Sequence, residues 1–294
     1  MFGTNEIIGK KYFKDAPKDS LFVTSMFFTL QGEGPYAGMP ALFIRLAKCN
    51  LTCSFCDTFF DDGEWMTFDQ IDEKIAQTIH GHWTDIGQNV PGWVVNHNFD
   101  DGPTFPNIVL VMTGGEPLLQ ENISTFMEMR QEFFKAVQVE SNGIPDTVVP
   151  AGVTLVCSPK CLEKDGKAVK YYTPSKTILE RADCLKFVMT AEEGNPYHTV
   201  PDWALEWKAK TGKEIYCSPM NVYNDFPQKI KLLRAEKGEI TMAERSTVDE
   251  VISWWEKDLL NMPKNEANHK YVGQYCMQHG LRMQMQMHLF ASLA

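Results

Sequence analysis

Three cysteines lie close together on one short segment, with Cys49, Cys53 and Cys56 at spacings of four and three residues. Cysteine thiolates are the usual protein ligands of iron–sulfur clusters, and a cubane cluster held by three of them keeps one iron open to an exogenous chelator. The other five cysteines are widely spaced, at positions 157, 161, 184, 217 and 276. In a reducing compartment, such uneven spacing indicates metal or redox chemistry rather than disulfide bonds.

A structural zinc site is the alternative interpretation of the same segment, because such sites usually close with four thiolate or imidazole ligands. His80, His82 or Cys157 would then be candidates for the fourth ligand. A second cluster around Cys157 and Cys161 is not expected, because no third cysteine follows them.

A second motif, Thr113-Gly114-Gly115-Glu116-Pro117, directly follows the apolar run 107–112. Glycine lets a backbone approach a ligand or another chain segment closely. Taken alone, the motif is also compatible with a plain turn from strand to helix.

Strands and helices must alternate to position these motifs. Thr67-x-x-Gln70 predicts a capping box, and Ile71, Ile75 and Ile79 predict an amphipathic helix after it. The composition of 81–106 predicts a long ordered loop, and a helical stretch is expected from the glycine motif through Phe134. Strands are predicted over 21–30, 41–47, 107–112, 137–140, 153–157 and 184–189. Polar loops follow several of these strands, as in β/α architectures whose sites gather at the carboxyl ends of strands.

The carboxyl-terminal segment 281–289 alternates apolar and polar residues throughout. Leu281, Met283 and Met285 would share one face with the later apolar residues, and Gln284 would lie on the opposite face, which predicts a half-buried strand with core methionines. Segments 161–182 and 222–270 are interpreted as elaborations of one domain that spans 1–294, with a helix expected from Ser246 through Leu260.

Composition excludes several classes of protein. The chain has 294 residues, 44% of them hydrophobic, and 28 Lys and Arg against 38 Asp and Glu give a net charge of −10. It can therefore bury a sizeable core, and its charge argues against nucleic-acid or anionic-membrane partners and favours a small-molecule substrate. Without a long apolar run, a cytoplasmic location is expected.

The cysteine segment, with Phe55 before its third cysteine, and the glycine motif together resemble the radical S-adenosylmethionine (SAM) enzymes. Within them, the chain resembles the 7-carboxy-7-deazaguanine synthase family. This closer resemblance rests on 28–35 (FTLQGEGP), Gly38, 43–47 (FIRLA) and Cys56-Asp57-Thr58. Further landmarks in the expected order are 158–160 (SPK), 186–188 (KFV), 218–220 (SPM) and the terminal segment through His288. The resemblance spans 24–294, in patches.

The resemblance implies an α/β fold, a modified partial (β/α) barrel of the radical SAM type with extra segments. It implies a lyase that contracts the ring of 6-carboxy-5,6,7,8-tetrahydropterin to 7-carboxy-7-deazaguanine with loss of ammonia, in queuosine or other deazapurine biosynthesis. The implied cofactors are a [4Fe-4S] cluster, SAM and Mg²⁺. Implied partners are a flavodoxin or similar reductase and a second copy of the chain as a homodimer.

The resemblance also implies site residues, with no catalytic side chain beyond the cluster and SAM. Metal ligands would be Cys49, Cys53 and Cys56 for the cluster and Thr58 for Mg²⁺. Residues expected to bind cofactors are Phe55, Cys56, Asp57, Gly115, Glu116, Ser141, Ser158, Pro159, Lys160, Ser218, Pro219 and Met220. Residues expected to bind substrate are Leu30, Gln31, Gly32, Glu33, Arg45, Thr113 and Ala294.

Each of these residues has a simpler interpretation. Arg45 can offer a bidentate fork to a carboxylate but could equally form a structural ion pair. Glu33 could be a solvated loop carboxylate, and Thr58 could be a turn residue or a helix cap. Two other functions stay open. A glycyl-radical-enzyme activase would share both motifs without needing Gln31, Glu33 and Arg45, and a non-enzymatic zinc-binding protein would need only the cysteines.

Overall fold

The computed structural model describes residues 7–56, 58, 60–96, 104–223 and 261–287. Its centre is an open sheet of nine strands. These strands are β1 (Ser20–Leu30), β2 (Pro40–Leu46), β3 (Glu64–Thr67), β4 (Phe105–Gly114), β5 (Phe134–Ser141), β6 (Thr154–Cys157), β9 (Cys184–Met189), β10 (Glu214–Pro219) and β11 (Arg282–Met283). Two further strands, β7 (Cys161–Lys164) and β8 (Lys167–Tyr171), form a separate hairpin.

The sheet order is β11-β10-β9-β6-β5-β4-β2-β1-β3. All neighbours from β2 to β11 are parallel, whereas β1 is antiparallel to both β2 and β3. The two edge strands are not paired with each other, so the expected partial barrel is confirmed. Because the parallel strands all end on one side, the loops that follow them gather there.

Within the described residues, five α-helices accompany the sheet: α1 (Phe68–Asp85), α2 (Ile123–Arg130), α3 (Lys176–Arg181), α4 (Asp202–Thr211) and α5 (Met262–His279). The alternation of side chains along the strands divides the core. Leu42 and Ile44 of β2 face the main core, where Ile71 and Ile75 of α1 also lie. In the described residues, the opposite face of the sheet holds two small apolar clusters, one around Ala41 and one around Val156. That less apolar face carries the cleft described below.

Most predicted strands are confirmed, as are the capping box and the amphipathic helix of α1, where the Thr67 hydroxyl accepts from the Gln70 N–H. Two boundaries were wrong. The helix continues to Asp85 and β4 already begins at Phe105, so the predicted loop 81–106 is shorter. The predicted helix through Phe134 ends at Arg130, because Phe134 pairs with Phe105 as the first residue of β5.

The predicted terminal strand was wrong over most of its length. Only Arg282 and Met283 pair with β10, and the chain then leaves the sheet. Its faces were also misassigned, since Gln284 is buried at 6% exposure whereas Met283 and Met285 are 36% and 40% exposed. Polar contacts of Gln284, described with the site below, explain why this side chain is buried. Residues 288–294 lie outside the described residues.

The segment 161–182 forms the β7–β8 hairpin and α3. Most of the other predicted elaboration, including the helix expected over 246–260, lies outside the described residues. Within the described ranges, no helix combines the length and the apolar character that a bilayer span requires.

Candidate functional site

An open cleft of about 1320 Å³, counting the space at its mouth, lies at the carboxyl ends of the parallel strands. It brings together most of the residues that sequence reasoning assigned to the site. These residues are Gln31, Gly32, Glu33, Arg45, Cys49, Cys53, Phe55, Cys56, Thr58, Thr113, Gly115, Glu116, Ser141, Ser158, Lys160, Ser218 and Pro219. The strand order explains most of the gathering, because most of these residues lie near the carboxyl ends of the parallel strands β2, β4, β5, β6 and β10 or on the loops that follow them. Gln31, Gly32 and Glu33 instead lie on the loop that follows the antiparallel strand β1.

Three predicted residues, Leu30, Pro159 and Met220, do not line the cleft. Their neighbours do, so these three are placed beside the site rather than in its wall. Asp57 and Ala294 lie outside the described residues, and their assignments stay predictions.

The three loop thiols reach the same cleft. Cys49 is buried, while Cys53 and Cys56 are half-buried. Burial raises the pKa of the Cys49 thiol, with the nearby Glu116 carboxylate adding to the effect. Burial also raises the pKa of Cys53 to about 11, against the opposing influence of the Lys160 ammonium. Without a metal, the Cys49 and Cys53 thiols therefore favour their protonated form, and metal binding to them must release protons.

The described residues do not place the three loop thiols around a single metal position. Among the described residues, no three Cys, His, Asp or Glu side chains converge closely enough to hold one metal ion. A cubane instead presents its irons at separate corners, so its ligands need not converge on one point. The histidines proposed for a zinc site, His80 and His82, lie on α1 and not in the cleft wall. Cys157, the third candidate, ends β6 and does not line the cleft either.

The glycine motif packs against the start of the cysteine loop. A side chain at Gly114, whose φ is +116°, would overlap the backbone of Leu46, and one at Gly115 would overlap the Lys48 carbonyl oxygen. The Gly115 and Glu116 N–H groups donate to the carbonyl oxygens of Leu46 and Lys48, both at 2.8 Å. Close approach to the neighbouring strand end therefore explains both glycines, independently of any ligand.

Glu116 fastens this motif to the end of β5. Its carboxylate accepts from the Ser141 hydroxyl at 2.8 Å, the Asn142 N–H at 2.7 Å and the Leu118 N–H at 3.0 Å. Burial raises the pKa of Glu116 to about 7, although these three hydrogen bonds pull it down. The Glu116 carboxylate and the Ser141 hydroxyl are thus engaged within the protein.

The opposite wall holds a buried cation between two carboxylates. The Lys186 ammonium donates to Glu33 Oε2 and to Glu140 Oε2, both at 2.6 Å. The Ser218 hydroxyl donates to Glu33 Oε1 at 3.0 Å. Burial alone would lower the pKa of Lys186, but the two carboxylates outweigh it and raise that pKa, so the ammonium stays charged.

Gln31 supports the same group from β1 and is buried at 1% exposure. Its Nε2 donates to Glu140 Oε1 at 3.3 Å, and its Oε1 accepts from the Glu33 N–H at 3.0 Å. The residue therefore positions both carboxylates in addition to lining the cleft.

Arg45 is the last but one residue of β2 and lies beside Thr113 of β4, its direct partner in the sheet. Its guanidinium stacks on the Phe27 ring at 4.7 Å from the ring centroid. Arg45 lines the cleft, and no carboxylate of the described residues forms a salt bridge with it, so its donors can serve an anion.

Lys160 and Thr58 complete the cysteine end of the cleft. The Lys160 ammonium donates to the Ser158 carbonyl and hydroxyl oxygens at 2.7 and 2.6 Å. Burial lowers the pKa of Lys160, while the nearby Cys53 and the two carboxylates oppose this. Thr58 is buried, and its carbonyl oxygen accepts from the Cys56 thiol at 3.3 Å.

The polar contacts of Gln284 explain why the terminal segment leaves the sheet. Its Oε1 accepts from the Gly34 N–H at 2.6 Å, and its Nε2 donates to the Ser218 hydroxyl at 2.9 Å. A side chain on Gly32 would meet the backbone of Met285 and Met287 at 2.6 Å. The tail is thus bound across the loop after β1, and polar satisfaction overrides the apolar alternation.

Sequence reasoning missed Glu140, Asn142, Lys186, Asn221 and Gln286 as cleft residues. A usable signal existed for Glu140 and Asn142, which stand at the end of a predicted strand where ligand-binding loops begin. Lys186 was noted only as part of a landmark. Its role depends on pairing across the sheet with two residues far away in the chain, which no local pattern reveals.

Comparison with known proteins found relatives over most of the chain. A 7-carboxy-7-deazaguanine synthase from Rickettsia prowazekii is 31% identical over 242 residues, which cover 82% of this chain and 87% of the relative. A 7-carboxy-7-deazaguanine synthase from Rhodospirillum rubrum is 32% identical over 203 residues, covering 68% of this chain and 71% of the relative. No family model matches the chain.

The crystal structure of QueE from Escherichia coli aligns with 96% of this chain and 99% of its own length. The TM-score is 0.51 at 18% sequence identity, which supports the similarity of the fold alone.

Proposed function

The chain belongs to the 7-carboxy-7-deazaguanine synthase family, and we propose on that premise that it converts 6-carboxy-5,6,7,8-tetrahydropterin to 7-carboxy-7-deazaguanine with release of ammonia. The observation that carries the proposal is the cleft itself. It is lined by the three loop thiols, by the Arg45 cation and by the Glu33 and Glu140 carboxylates that share Lys186. A substrate with one carboxylate and a polar pterin edge needs a cation for its carboxylate and hydrogen-bond acceptors for its N–H groups.

The cysteine end fits the cofactors of a radical SAM lyase. Cys49, Cys53 and Cys56 would hold a [4Fe-4S] cluster, and the donor set of three thiols with no fourth leaves one iron for SAM. When bound, cluster and SAM together supply the hydrogen-atom abstraction that the protein's own side chains cannot perform. The protein's part is to hold the thiols at separate positions and to exclude water from a largely buried wall.

The side chains around the thiols suit the polar end of SAM. Lys160, whose ammonium is held by Ser158, offers a cation to a carboxylate beside Cys53. Gly115, Glu116 and Ser141 line the cleft, and the Glu116 carboxylate holds their two loops together. Phe55, Pro219 and the backbone near Ser218 would contact the remaining parts of the cofactor.

The Arg45, Glu33 and Glu140 side chains suit the substrate. Arg45 would bind the pterin carboxylate through two parallel N–H···O bonds, for which stacking on Phe27 already orients the guanidinium. Glu33 and Glu140 carry lone pairs beyond those used by Lys186, so they can accept from the N–H groups of the pterin edge. The Gly32 backbone and Thr113 line the space between the two groups.

Mg²⁺ would be held at Thr58, next to the cluster loop and on the wall of the same cleft. A hydroxyl oxygen is a weak but acceptable ligand for a hard cation when substrate oxygens and water complete the shell. Asp57 and Ala294, which we also assign to cofactor and substrate, stay proposals from sequence.

Family membership does not favour the two alternatives. A glycyl-radical-enzyme activase would leave the Glu33, Glu140 and Lys186 arrangement unused, and a zinc protein would leave the rest of the cleft without a purpose. We propose that an electron-donating flavodoxin or similar reductase reduces the cluster and that the enzyme acts as a homodimer.

An anaerobic assay tests the function. Reconstituted protein is incubated with SAM, Mg²⁺, a reductant and 6-carboxy-5,6,7,8-tetrahydropterin, and the products are separated by liquid chromatography with mass detection. We expect 7-carboxy-7-deazaguanine and ammonia in equal amounts. Cluster-loaded protein that cleaves SAM but leaves the pterin unchanged would contradict the proposed substrate.

A further inference from the structure

The β7–β8 hairpin, which sequence reasoning set aside as an elaboration, contacts the cysteine loop directly. Glu163 of β7 accepts from the Ser54 N–H through Oε2 at 2.8 Å and from the Ser54 hydroxyl through Oε1 at 3.2 Å. Ser54 lies between Cys53 and Phe55, within the run of proposed ligands. One carboxylate thus holds both polar hydrogens of a single loop residue.

These hydrogen bonds fix the peptide group that joins Cys53 to Ser54. The carbonyl oxygen of Cys53 accepts from the Cys56 N–H at 3.0 Å inside the loop, and the N–H of Ser54 donates to Glu163. Because the C=O and the N–H of this peptide group both form hydrogen bonds, the direction in which the Cys53 side chain leaves the backbone is fixed. Ligands must be held close to their productive geometry to bind a cluster well, and partners outside the ligand set commonly do this.

Glu163 is itself held in place by Tyr197. The Tyr197 hydroxyl donates to Glu163 Oε1 at 3.5 Å and accepts from the Cys161 N–H at 2.8 Å, and its ring meets Phe55 edge-on at 5.1 Å between centroids. Tyr197 is buried at 1% exposure. The hairpin, Tyr197 and the cysteine loop therefore form one packed unit.

The two faces of the hairpin differ accordingly. Cys161 and Glu163 point toward the loop and are buried or half-buried, whereas their neighbours Leu162 and Lys164 are exposed. Lys164 thus provides an exposed control position on the same strand, one residue from Glu163, with no hydrogen bond or ion pair to the part of the loop that the structure describes.

We propose that Glu163 is a positioning residue for the iron–sulfur cluster. It orients Cys53 through Ser54 and places a negative charge beside the cluster that makes it harder to reduce. The inference rests on the proposed function, since it presumes that the loop thiols ligate a cluster.

Four proteins test it: the wild type, Glu163→Ala, Glu163→Gln and Lys164→Ala. Gln keeps an acceptor for the Ser54 N–H but removes the charge, whereas Ala removes both. After anaerobic reconstitution, iron and sulfide are quantified, and electron paramagnetic resonance of the reduced protein is recorded with and without SAM during a redox titration. Circular dichroism of the apo-proteins checks their folding.

We expect Glu163→Ala to lose at least half of its cluster and to show an altered spectrum, while Glu163→Gln and Lys164→Ala load like the wild type. Glu163→Gln should be about tenfold easier to reduce, a rise of about 59 mV for a one-electron couple. Wild-type loading and an unchanged spectrum in folded Glu163→Ala would overturn the inference. If Glu163→Ala does not fold, an unchanged midpoint potential in Glu163→Gln would overturn it. Failure of the wild type to take up any cluster would instead overturn the proposed function.

Discussion

Removing the Lys186 ammonium tests the electrostatic reasoning about the substrate end of the cleft. The side chains of Lys186, Glu33 and Glu140 are 8%, 13% and 10% exposed, and both ion pairs measure 2.6 Å. Lys186→Met keeps most of the side-chain volume but leaves two nearly buried carboxylates without their shared cation. The structure therefore predicts a large loss of stability rather than the small effect typical of a surface lysine.

The magnitude follows from burial. Removing one partner of a buried ion pair costs about 3–5 kcal/mol, because the remaining charge is left without compensation. Lys208 pairs with Glu214 at 2.9 Å but with side chains 26% and 33% exposed. Such a partly exposed pair contributes only about 0–1 kcal/mol, so Lys208→Met is a matched control.

Urea unfolding of the apo-proteins, followed by tryptophan fluorescence, measures both variants against the wild type. Lys186→Met should lower the free energy of unfolding by about 3–5 kcal/mol and Lys208→Met by less than about 1 kcal/mol. Adding Glu33→Gln and Glu140→Gln to Lys186→Met should restore most of the loss, because no uncompensated charge then remains. Equal stability of Lys186→Met and the wild type, or no recovery in the triple variant, would refute the reasoning.

Three further predictions concern single side chains. Arg45→Lys keeps the charge but loses the planar fork, so we expect a rise in KM for the carboxy-pterin of about tenfold or more. An unchanged KM with unchanged cluster content would place the carboxylate elsewhere. Thr58→Val removes a hydroxyl at constant shape, so cluster content should persist while turnover loses its Mg²⁺ dependence, and an identical Mg²⁺ titration would exclude Thr58. Glu116 has a folded pKa of about 7 against an ordinary 4.5, so it binds its proton more tightly when folded. Its contribution is therefore present below about pH 4.5 and is lost as pH rises toward 7, by at most about 3 kcal/mol. Stability curves of the wild type and Glu116→Gln measured from pH 4.5 to 8 should diverge in that direction, and parallel curves would contradict the assignment.

Local patterns predicted the elements that carry the site. The Thr67 capping box, the β-branched strands and the two motifs are all written in short stretches of sequence, and the structure places the motifs side by side because parallel strands end on one side of a sheet. The cysteine and glycine motifs were thus predictable as neighbours. Their exact contact, with Gly115 against Lys48, was not, since a ligand explained the glycines equally well.

Long-range polar contacts explain what sequence missed. Lys186 meets Glu33 across 153 positions of the chain, and Gln284 reaches Gly34 across 250. Alternation placed Gln284 on a solvent face because periodicity carries no information about a distant N–H group that needs an acceptor. Glu163 was overlooked for the same reason, since its partner Ser54 lies 109 positions away.

We propose that Cys49, Cys53 and Cys56 hold a cluster in the cleft that binds the substrate. Iron and sulfide content after anaerobic reconstitution tests it most directly, in the wild type, in Cys49→Ala, Cys53→Ala and Cys56→Ala, and in the control variants Cys157→Ala and Cys276→Ala. We expect about four irons and four sulfides per chain in the wild type and both controls, and loss of the intact cluster in each loop variant. Iron loading that survives removal of all three loop thiols would contradict it.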